Sequence, residues 1–399
     1  MRVKKVAVIS LIVVVCLVAL ALGVWHFMPH SVQIAQNNVS EYRIVAEGDS
    51  PQTQAAAAYL AHAIYEHAGA ALPVGPGGDE DAPKILLRLE PGTGAVYSLE
   101  LDDAQNLVFH LYDEEHAFET VRTVCNAWLR EGVGLRDGAL GISRALIQKE
   151  LSGLSVSLDT AGQLRLLVLS ETAAEDTDAL IRVIGELQPD FISTQKLSAA
   201  RMEAIQQLYS PHYYIMGINA YASPDEGEAW NAVLFRRDRF RFVDGDSFWL
   251  SDTPHLAGSR LDGADDPDLC TWVLLRDLEA ERNVFLSNSS LTPGATMEAE
   301  TLRMQEAAIL IDTMRIDSGC FDLEPGFLTG GLFLRSGEAA HSSASAVCRD
   351  AMEGSLQAEP SADDTTMPAC CFYTHSRMTI LESRQTDGLS GLFIRALPF

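Results

Sequence analysis

The first pattern along the chain is an uninterrupted apolar run of 20 residues, Val6–Trp25, which follows Arg2, Lys4 and Lys5. At about 1.5 Å per residue, a helix of this length spans a hydrocarbon core of about 30 Å. A basic flank keeps the preceding end in the cytoplasm. We therefore predict that residues 1–28 form a cytoplasmic basic tip and a transmembrane anchor. The chain would then cross the cell membrane once, with its bulk outside; a cleaved signal peptide is the alternative.

A polar stretch and then a mixture of strand and helix patterns follow the apolar run. Residues 29–40 are polar and predict a stalk, whereas residues 41–151 predict a small α/β domain. Pro51 in a first turn and Gly69 after the last apolar position mark the ends of one helix in that domain. Strand patterns lie at residues 42–45, 84–89, 97–101 and 106–111, the last two as a hairpin, and a second helical pattern lies at 114–130.

Strand signals dominate the rest of the chain. Residues 155–158 and 164–169 predict a hairpin-like pair, and a helix follows at about 175–187. Strand and helix signals then alternate without a repeat, and the acidic segment 353–367, rich in Ser and Pro, predicts a mobile loop. We therefore predict a second domain over residues 155–399.

The composition indicates a folded and strongly acidic protein. Of the 399 residues 47% are hydrophobic, and the net charge is -26. Because phosphate groups are bound mainly by Lys and Arg, we expect no nucleic acid partner. Asp262, Asp265, Asp266 and Asp268 form an acidic run without the alternating spacing and terminal Glu of a calcium loop, so this run predicts a solvated loop.

The cysteines predict neither a zinc site nor a bond between neighbours. Six of the seven lie beyond the apolar run, and none has the Cys or His spacing of a zinc ligand set. Cys370 and Cys371 are adjacent. A strand would point their side chains to opposite faces, so we expect no disulfide between them.

Four segments between residues 188 and 273 follow a recognisable order and spacing: Gln188–Gln195 (QPDFISTQ), Gly227–Phe240 (GEAWNAVLFRRDRF), Phe248–Pro254 (FWLSDTP) and Cys270–Val273 (CTWV). Together they resemble the endonuclease/exonuclease/phosphatase superfamily. The likeness extends over about residues 164–399. It implies a four-layer α/β/β/α sandwich, in which two β-sheets pack face to face between outer helices. It also implies a metal-dependent phosphoesterase site at one end of the sandwich. The fold class expected for the whole chain is α/β (α+β).

At the positions where this resemblance implies metal-binding or proton-transfer groups, the chain carries other residues. Ser170 stands where the superfamily's first strand ends in Asn, and Lys196 stands in place of the metal-binding Glu. Ala220 and Tyr221 stand in place of an Arg–Asp pair. Because an ammonium group has no acceptor atom and repels a cation, Lys196 cannot bind the metal that Glu would bind.

The next two motifs have lost their functional groups as well. Ser290 takes the place of the His of the superfamily's NTH motif. Gly331 and Phe333 take the places of the Asp and Asn of the GDFN motif. Without a general base and a metal, phosphoester hydrolysis of this kind loses both proton transfer and charge stabilisation.

The C-terminal motifs complete this pattern. Cys371 takes the place of a late Asp, and Gly391 and Leu392 take the places of a terminal Asp–His pair. The resemblance therefore predicts no catalytic residue, no bound metal and no cofactor. What remains of the site would be a vestigial pocket near Gln195 and Asn288.

Residues 41–151 resemble a second family, the non-catalytic N-terminal domain of alpha-glucuronidases. The likeness lies in the order of the elements and in the phrase His67–Val74 (HAGAALPV). In those enzymes the domain precedes the catalytic barrel and holds no catalytic residue. Residues 155–399 have a strand-rich pattern that does not fit a (β/α)₈ barrel.

The function predicted from the sequence is that of a membrane-anchored extracellular pseudoenzyme. Its degenerate endonuclease/exonuclease/phosphatase-like domain would act in binding or as a structural ectodomain, with a protein or carbohydrate as its ligand. We therefore do not expect an enzyme. The alternative is a metal-dependent hydrolase of the phosphodiesterase or phosphatase type with a rebuilt active site.

Overall fold

The structure is a computed structural model and describes most of the chain. The described residues are 31–76, 82–90, 95–136, 138–156, 162–170, 177–334, 339–356, 369–386 and 389–399. The chain divides into two compact units, residues 1–157 and 158–399. The predicted anchor, Val6–Trp25, lies outside the described residues and stays a prediction. Among the residues that are described, no helix is both long and apolar enough to cross a membrane.

In its described residues, the first unit has two four-stranded sheets and three α-helices. Its strands are β1 (Ser31–Ile34), β2 (Asn37–Asn38), β3 (Arg43–Ala46), β4 (Lys84–Leu89), β5 (Tyr97–Leu101), β6 (Leu107–Leu111), β7 (Leu135–Arg136) and β8 (Ala139–Ile142). Its helices are α1 (Pro51–Ala68), α2 (Ala117–Cys125) and α3 (Arg144–Leu146), and α2 and α3 continue into π-helical turns at Asn126–Arg130 and Ile147–Leu151. A short 3₁₀ helix spans Val39–Glu41.

The larger part of this unit has the predicted α/β character. The order of one sheet is β3-β4-β6-β5, with β3, β4 and β6 parallel and β5 and β6 paired as the predicted hairpin. α1 begins at Pro51 and ends before Gly69, whose φ of 64° is the left-handed conformation that glycine tolerates. These limits confirm the predicted helix.

The prediction of a stalk at residues 29–40 is wrong for the part that the structure describes. β1 pairs with β2 and, in parallel, with β8, so the segment belongs to a sheet of order β2-β1-β8-β7. Val32 and Ile34 alternate with polar residues along β1, and both are buried. The alternation is that of a strand with one buried face. The alternation covers only the four residues of β1 within a segment that is polar as a whole, so the sequence pattern did not indicate a strand.

The second unit contains two six-stranded sheets. Its strands are β9 (Leu164–Leu169), β10 (Phe191–Leu197), β11 (Tyr213–Asn219), β12 (Trp230–Arg236), β13 (Phe240–Trp249), β14 (Leu269–Asp277), β15 (Arg282–Ser290), β16 (Gly326–Gly331), β17 (Arg349–Asp350), β18 (Cys370–Tyr373), β19 (Met378–Gln385) and β20 (Gly391–Pro398). Its helices are α4 (Thr177–Leu187), α5 (Ala199–Tyr209), α6 (Met297–Ser318), α7 (Ala339–Ser345) and α8 (Ala351–Gly354). The strand orders are β11-β12-β10-β9-β20-β19 and β13-β14-β15-β16-β18-β17.

The two sheets pack face to face between outer helices, as the resemblance implied. Apolar side chains from both sheets, such as Phe191 and Phe327, share one buried core. α4 and α5 cover the outer face of the first sheet, and α6 and α7 cover that of the second. The four-layer α/β/β/α arrangement is therefore confirmed.

Three local predictions for this unit have different outcomes. β9 pairs with β10 on one side and β20 on the other, so the predicted hairpin with residues 155–158 is wrong. Cys371 faces the core between the sheets, and Cys370 lies beside the core under the helices, so their opposite orientation is confirmed. Most of the predicted loop 353–367 lies outside the described residues.

Candidate functional site

The strand registers gather the predicted site positions at one end of the sandwich. Ser170 directly follows β9, and Gly391 at the start of β20 pairs with Leu169. In the other sheet, Ser290 at the end of β15 pairs with Gly331 at the end of β16. Since these strand ends lie at the same edge of each sheet, we call this region the site end.

Two amide side chains join the sheets at the site end. Nε2 of Gln195 donates to Oδ1 of Asn288 at 2.8 Å. Nδ2 of Asn288 donates in turn to the carbonyl oxygens of Thr194 at 2.8 Å and Ala232 at 3.0 Å. Both amide side chains are fully buried. The region near Gln195 and Asn288, where we predicted a vestigial pocket, is thus occupied by a hydrogen-bonded network.

Not all hydrogen-bonding capacity at the site end is used. Oε1 of Gln195 and Oγ of Ser290 are buried and have no partner among the described residues. Buried polar atoms of this kind are uncommon in folded proteins and cost free energy. The site end therefore keeps a polar character even where solvent does not reach.

Lys196 contributes the central charge of the site end. A register irregularity between β10 and β12 precedes it, and its φ is 47°. Its backbone N–H donates to Oδ1 of Asn231 at 2.9 Å. Its Nζ lies 3.2 Å from Oδ1 of Asp268, with side-chain exposures of 20% for Lys196 and 5% for Asp268. Lys196 is therefore held in a partly exposed ion pair that crosses from one sheet to the segment before β14 of the other.

The prediction of a solvated loop is wrong for one of the four aspartates of the acidic run, Asp268, whereas the other three are exposed. Asp268 is buried against Lys196. The hydroxyl of Tyr221 hydrogen-bonds to the carboxylate of Asp266, and the Tyr221 ring packs over Gly227. The hydrogen bond to Asp266 raises the pKa of the Tyr221 hydroxyl, and the positive charge of Lys196 opposes that shift.

Glu306, on α6, is a site-end residue that the sequence did not reveal. Its carboxylate accepts hydrogen bonds from the Thr292 N–H at 2.8 Å and from the Thr292 Oγ1 at 2.6 Å. Burial raises the pKa of Glu306, while the positive charges of Lys196 and Arg303 oppose that shift. One turn earlier on the helix, Nη1 of Arg303 donates to the carbonyl oxygens of Thr292 at 3.0 Å and Gly294 at 2.7 Å.

The loop after β15 is therefore held by Glu306 and Arg303, an acidic and a basic residue that lie three positions apart on α6. Residues at this spacing share a helix face. That spacing is the only sequence signal that could have identified the pair. It is weak, because α6 also carries several exposed charged residues.

The other substituted positions contain no group suited to binding a hard cation. Leu392 and Cys371 face the core between the sheets. Burial raises the pKa of the Cys371 thiol well above its usual value, so it stays neutral. Phe333 has a φ of 48° and is half-buried. Position 330 accepts only glycine, because the Cβ atom of any other residue would clash with the Ser289 carbonyl oxygen.

The described residues do not fit the divalent metal that the superfamily resemblance implies. No group of three or more His, Cys, Asp or Glu side chains in the described ranges is placed to hold a metal ion. Of the carboxylates at the site end, that of Asp268 pairs with the ammonium of Lys196, and that of Glu306 accepts hydrogen bonds from Thr292. A hard cation needs several oxygen ligands, and a fixed positive charge at their centre opposes its binding.

Comparison with solved structures identifies the fold of the second unit. An endonuclease/exonuclease/phosphatase protein of Bacteroides vulgatus matches with a TM-score of 0.50 at 16% identity, covering 59% of this chain and 99% of that chain. A mannosyl-6-phosphatase of Bacteroides thetaiotaomicron matches with a TM-score of 0.48 at 16% identity, covering 59% and 99%. The human Nocturnin catalytic domain matches with a TM-score of 0.49 at 14% identity, covering 61% and 96%.

The second unit thus has a fold similar to that of the endonuclease/exonuclease/phosphatase protein of Bacteroides vulgatus. At this level of identity the likeness concerns the fold alone. No family model matches the chain. No curated protein matches it either.

Proposed function

We propose that this protein is a membrane-anchored extracellular pseudoenzyme of the endonuclease/exonuclease/phosphatase superfamily. Its second unit would act in binding or as a structural ectodomain. The first unit would be a non-catalytic module like the N-terminal domain of alpha-glucuronidases. A protein or a carbohydrate is the proposed ligand, and the net charge of -26 argues against nucleic acid.

One observation carries the proposal more than any other. The residue in place of the superfamily's metal-binding Glu is Lys196, and its ammonium lies 3.2 Å from the carboxylate of Asp268. The carboxylate is therefore already neutralised by the protein itself. Hydrolysis of a phosphoester by this fold requires a metal or an equivalent charge that is free to stabilise the transition state.

The membrane anchor is the second part of the proposal and rests on the sequence. Val6–Trp25 has the length of a membrane span and follows three basic residues. It would place both folded units outside the cell membrane.

A rebuilt hydrolase is the second candidate, because two carboxylates do lie at the site end. Asp268 and Glu306 could in principle replace the lost ligands if Lys196 moved away from them. This candidate requires metal-dependent turnover, whereas the pseudoenzyme requires none.

Calorimetric titration with Mg²⁺ and Mn²⁺, together with an assay on a general phosphodiester and a general phosphomonoester, tests the proposal. We expect no metal binding at the site end and no metal-dependent turnover. Asp268→Asn and Glu306→Gln are the matched variants. Turnover in the unmodified chain that both variants abolish would refute the pseudoenzyme and establish the rebuilt hydrolase.

A further inference from the structure

We propose that a pocket in the first unit binds a phosphoethanolamine group, and that lipid headgroups of the membrane in which the chain is anchored supply it. The phosphate would pair with Arg136 and the amine with Glu150. The lipid source rests on the proposed function, because it requires the predicted anchor Val6–Trp25. The chemistry of the pocket does not depend on the anchor.

The pocket lies beside the sheet of order β2-β1-β8-β7 and has a volume of about 470 Å³. Residues of β1, β7 and β8 line it, together with residues of α3 and of the π-helical turn that follows α3. Pockets that bind small molecules measure about 300–1,000 Å³. The space is therefore sufficient for a small polar ligand.

Backbone contacts fix the shape of the pocket. Gln33 of β1 pairs with Gly141 of β8, and the Gly141 N–H donates to the Gly134 carbonyl oxygen at 3.3 Å. Gly134 has a φ of 90°, and a Cβ atom there would lie 2.7 Å from both the Gly141 carbonyl oxygen and Cδ2 of Leu146. Only glycine therefore fits at position 134. A pocket whose walls are held in this way needs little reordering when a ligand binds.

The charges that line the pocket suit a zwitterion. Of the described lining residues, only Arg136 on β7 and Glu150 on the π-helical turn are charged, and their signs are opposite. Both are exposed, and Nζ of Lys149 is 3.8 Å from Oε1 of Glu150, which is longer than a hydrogen bond. A guanidinium can bind a phosphate through two parallel hydrogen bonds. A ligand with a phosphate and a cationic group would use both charges.

The remaining lining residues indicate which cationic group fits. None of the described residues that line the pocket is aromatic. Quaternary ammonium groups such as that of choline are bound by aromatic faces. A primary amine instead donates hydrogen bonds, which the Glu150 carboxylate can accept. The pocket therefore favours phosphoethanolamine over phosphocholine.

The position of Arg136 in the sheet favours a lipid as the source of this group. Ser31, the first residue of β1, comes six residues after Trp25, and six residues reach at most about 20 Å. Ser31 pairs with Ala139, and Ala139 pairs with Arg136. Arg136 thus lies at the end of the sheet that is tied to the predicted anchor. In a phospholipid the phosphate is the ionic group attached closest to the bilayer.

The charge of the whole protein narrows the choice of lipid. The net charge is -26, so an anionic lipid surface would repel the protein. A zwitterionic headgroup avoids this repulsion. Phosphatidylethanolamine is therefore the lipid whose headgroup fits both the pocket and the protein.

The first test uses calorimetric titration of the full-length chain in a maltoside detergent. We expect phosphoethanolamine to bind more tightly than inorganic phosphate. Arg136→Gln should weaken the binding of both ligands by about tenfold or more, because both have a phosphate. Glu150→Gln should weaken phosphoethanolamine by a similar factor and leave phosphate unaffected. The controls are Arg144→Gln and Glu131→Gln, changes at exposed residues that do not line the pocket and should alter neither affinity.

Three results of this titration would overturn the inference: no binding of phosphoethanolamine, equal affinities for phosphoethanolamine and phosphate, or an unchanged affinity for phosphoethanolamine in Glu150→Gln. The changed residues are exposed, so the variants should unfold at the same temperature as the unmodified chain. A binding defect in a variant with unchanged unfolding can then be assigned to the pocket.

The second test identifies the source of the group with the full-length chain in lipid nanodiscs. Phosphatidylethanolamine held near the pocket should compete with added phosphoethanolamine and weaken its apparent binding by about tenfold, compared with phosphatidylcholine discs of the same acyl chains. Equal affinities in the two kinds of disc would overturn the lipid source. A chain that does not enter the discs would refute the proposed anchor, whereas the detergent titration would still decide the chemistry of the pocket.

Discussion

The two ends of the sandwich each hold a buried aspartate that pairs with a basic side chain, and the positions at which the superfamily resemblance implied catalytic groups lie at one end only. β14 is flanked by Asp268 at the site end and finishes with Asp277 at the opposite end, and each aspartate pairs with one cation. At the site end the cation is Lys196, 3.2 Å away. At the opposite end it is Arg239, with Nη2 of Arg239 2.8 Å from Oδ2 of Asp277.

At the opposite end, the ion pairs of Arg239 have a structural role. Nη1 of Arg239 also contacts Oδ2 of Asp190 at 3.0 Å, so one guanidinium links the residue before β10 to the end of β14. Arg239 is 4% exposed and Asp277 is 1% exposed. The arrangement closes the end of the sandwich by connecting its two sheets.

The likeness between the ends indicates that the site end has acquired a structural closure. Lys196 joins the two sheets, as Arg239 does at the other end. The difference lies in strength and solvent access. Arg presents several fixed donors, whereas the single ammonium of Lys196 is 20% exposed. The pair at the site end is therefore the weaker of the two and the easier to rebuild.

The largest effect is expected at the opposite end. Arg239→Met should lower the free energy of unfolding by about 3–5 kcal/mol, because it leaves Asp190 and Asp277 buried without their main partner. Urea unfolding measures the change. Arg315→Met is the control. Its side chain is 41% exposed and pairs with Asp322, which is 53% exposed, so this change should cost less than about 1 kcal/mol. Equal costs for the two variants would contradict the role given to Arg239.

A smaller loss is expected from the amide network at the site end. Asn288→Leu should lower the free energy of unfolding by about 2 kcal/mol, because Gln195 and two carbonyl groups lose their partner in a buried place. Adding Gln195→Leu should cost less than the sum of the two single changes, since the second change removes a group already left without its partner. Strict additivity in urea unfolding would show that the two amides do not form a unit.

The sequence predicted the regular parts of the fold well. β4 and β9 have the predicted limits, residues 84–89 and 164–169, because each is a continuous run of strand-forming residues bounded by turn signals. The two-sheet arrangement was predicted through the superfamily resemblance and not through periodicity. β1 was missed because it has four residues and pairs with β8, which lies more than 100 residues further along the chain.

The site end was predicted only in part, for a similar reason. The resemblance drew attention to Lys196, Gln195 and Asn288, and the registers place Ser170, Gly391, Ser290 and Gly331 at strand ends, while their catalytic relevance stays a prediction. The partners Asp268 and Glu306 were not predicted. Each comes from an element distant in the sequence, and each resembles an ordinary surface acid until the tertiary structure buries it.

The smallest expected effect is a dependence of stability on pH that involves Glu306. Burial raises the pKa of this carboxyl in the folded protein above its value of 4.5 in the unfolded chain. The folded state therefore holds the Glu306 proton to a higher pH than the unfolded state does. The stabilisation that this proton provides is complete below pH 4.5 and is lost as the pH rises through the folded-state pKa.

Glu306→Gln removes the titration while leaving one oxygen to accept a hydrogen bond from Thr292. Relative to this variant, the unmodified chain should be most stable near pH 4 and should lose that advantage progressively as the pH rises through the folded-state pKa of Glu306. Urea unfolding at several pH values measures the difference, and Glu300→Gln on the same helix, which makes no contact with Thr292, serves as the control. An advantage that grows with pH would mean that Lys196 and Arg303 outweigh burial. The site end would then be held by a charge network as strong as the one at Arg239.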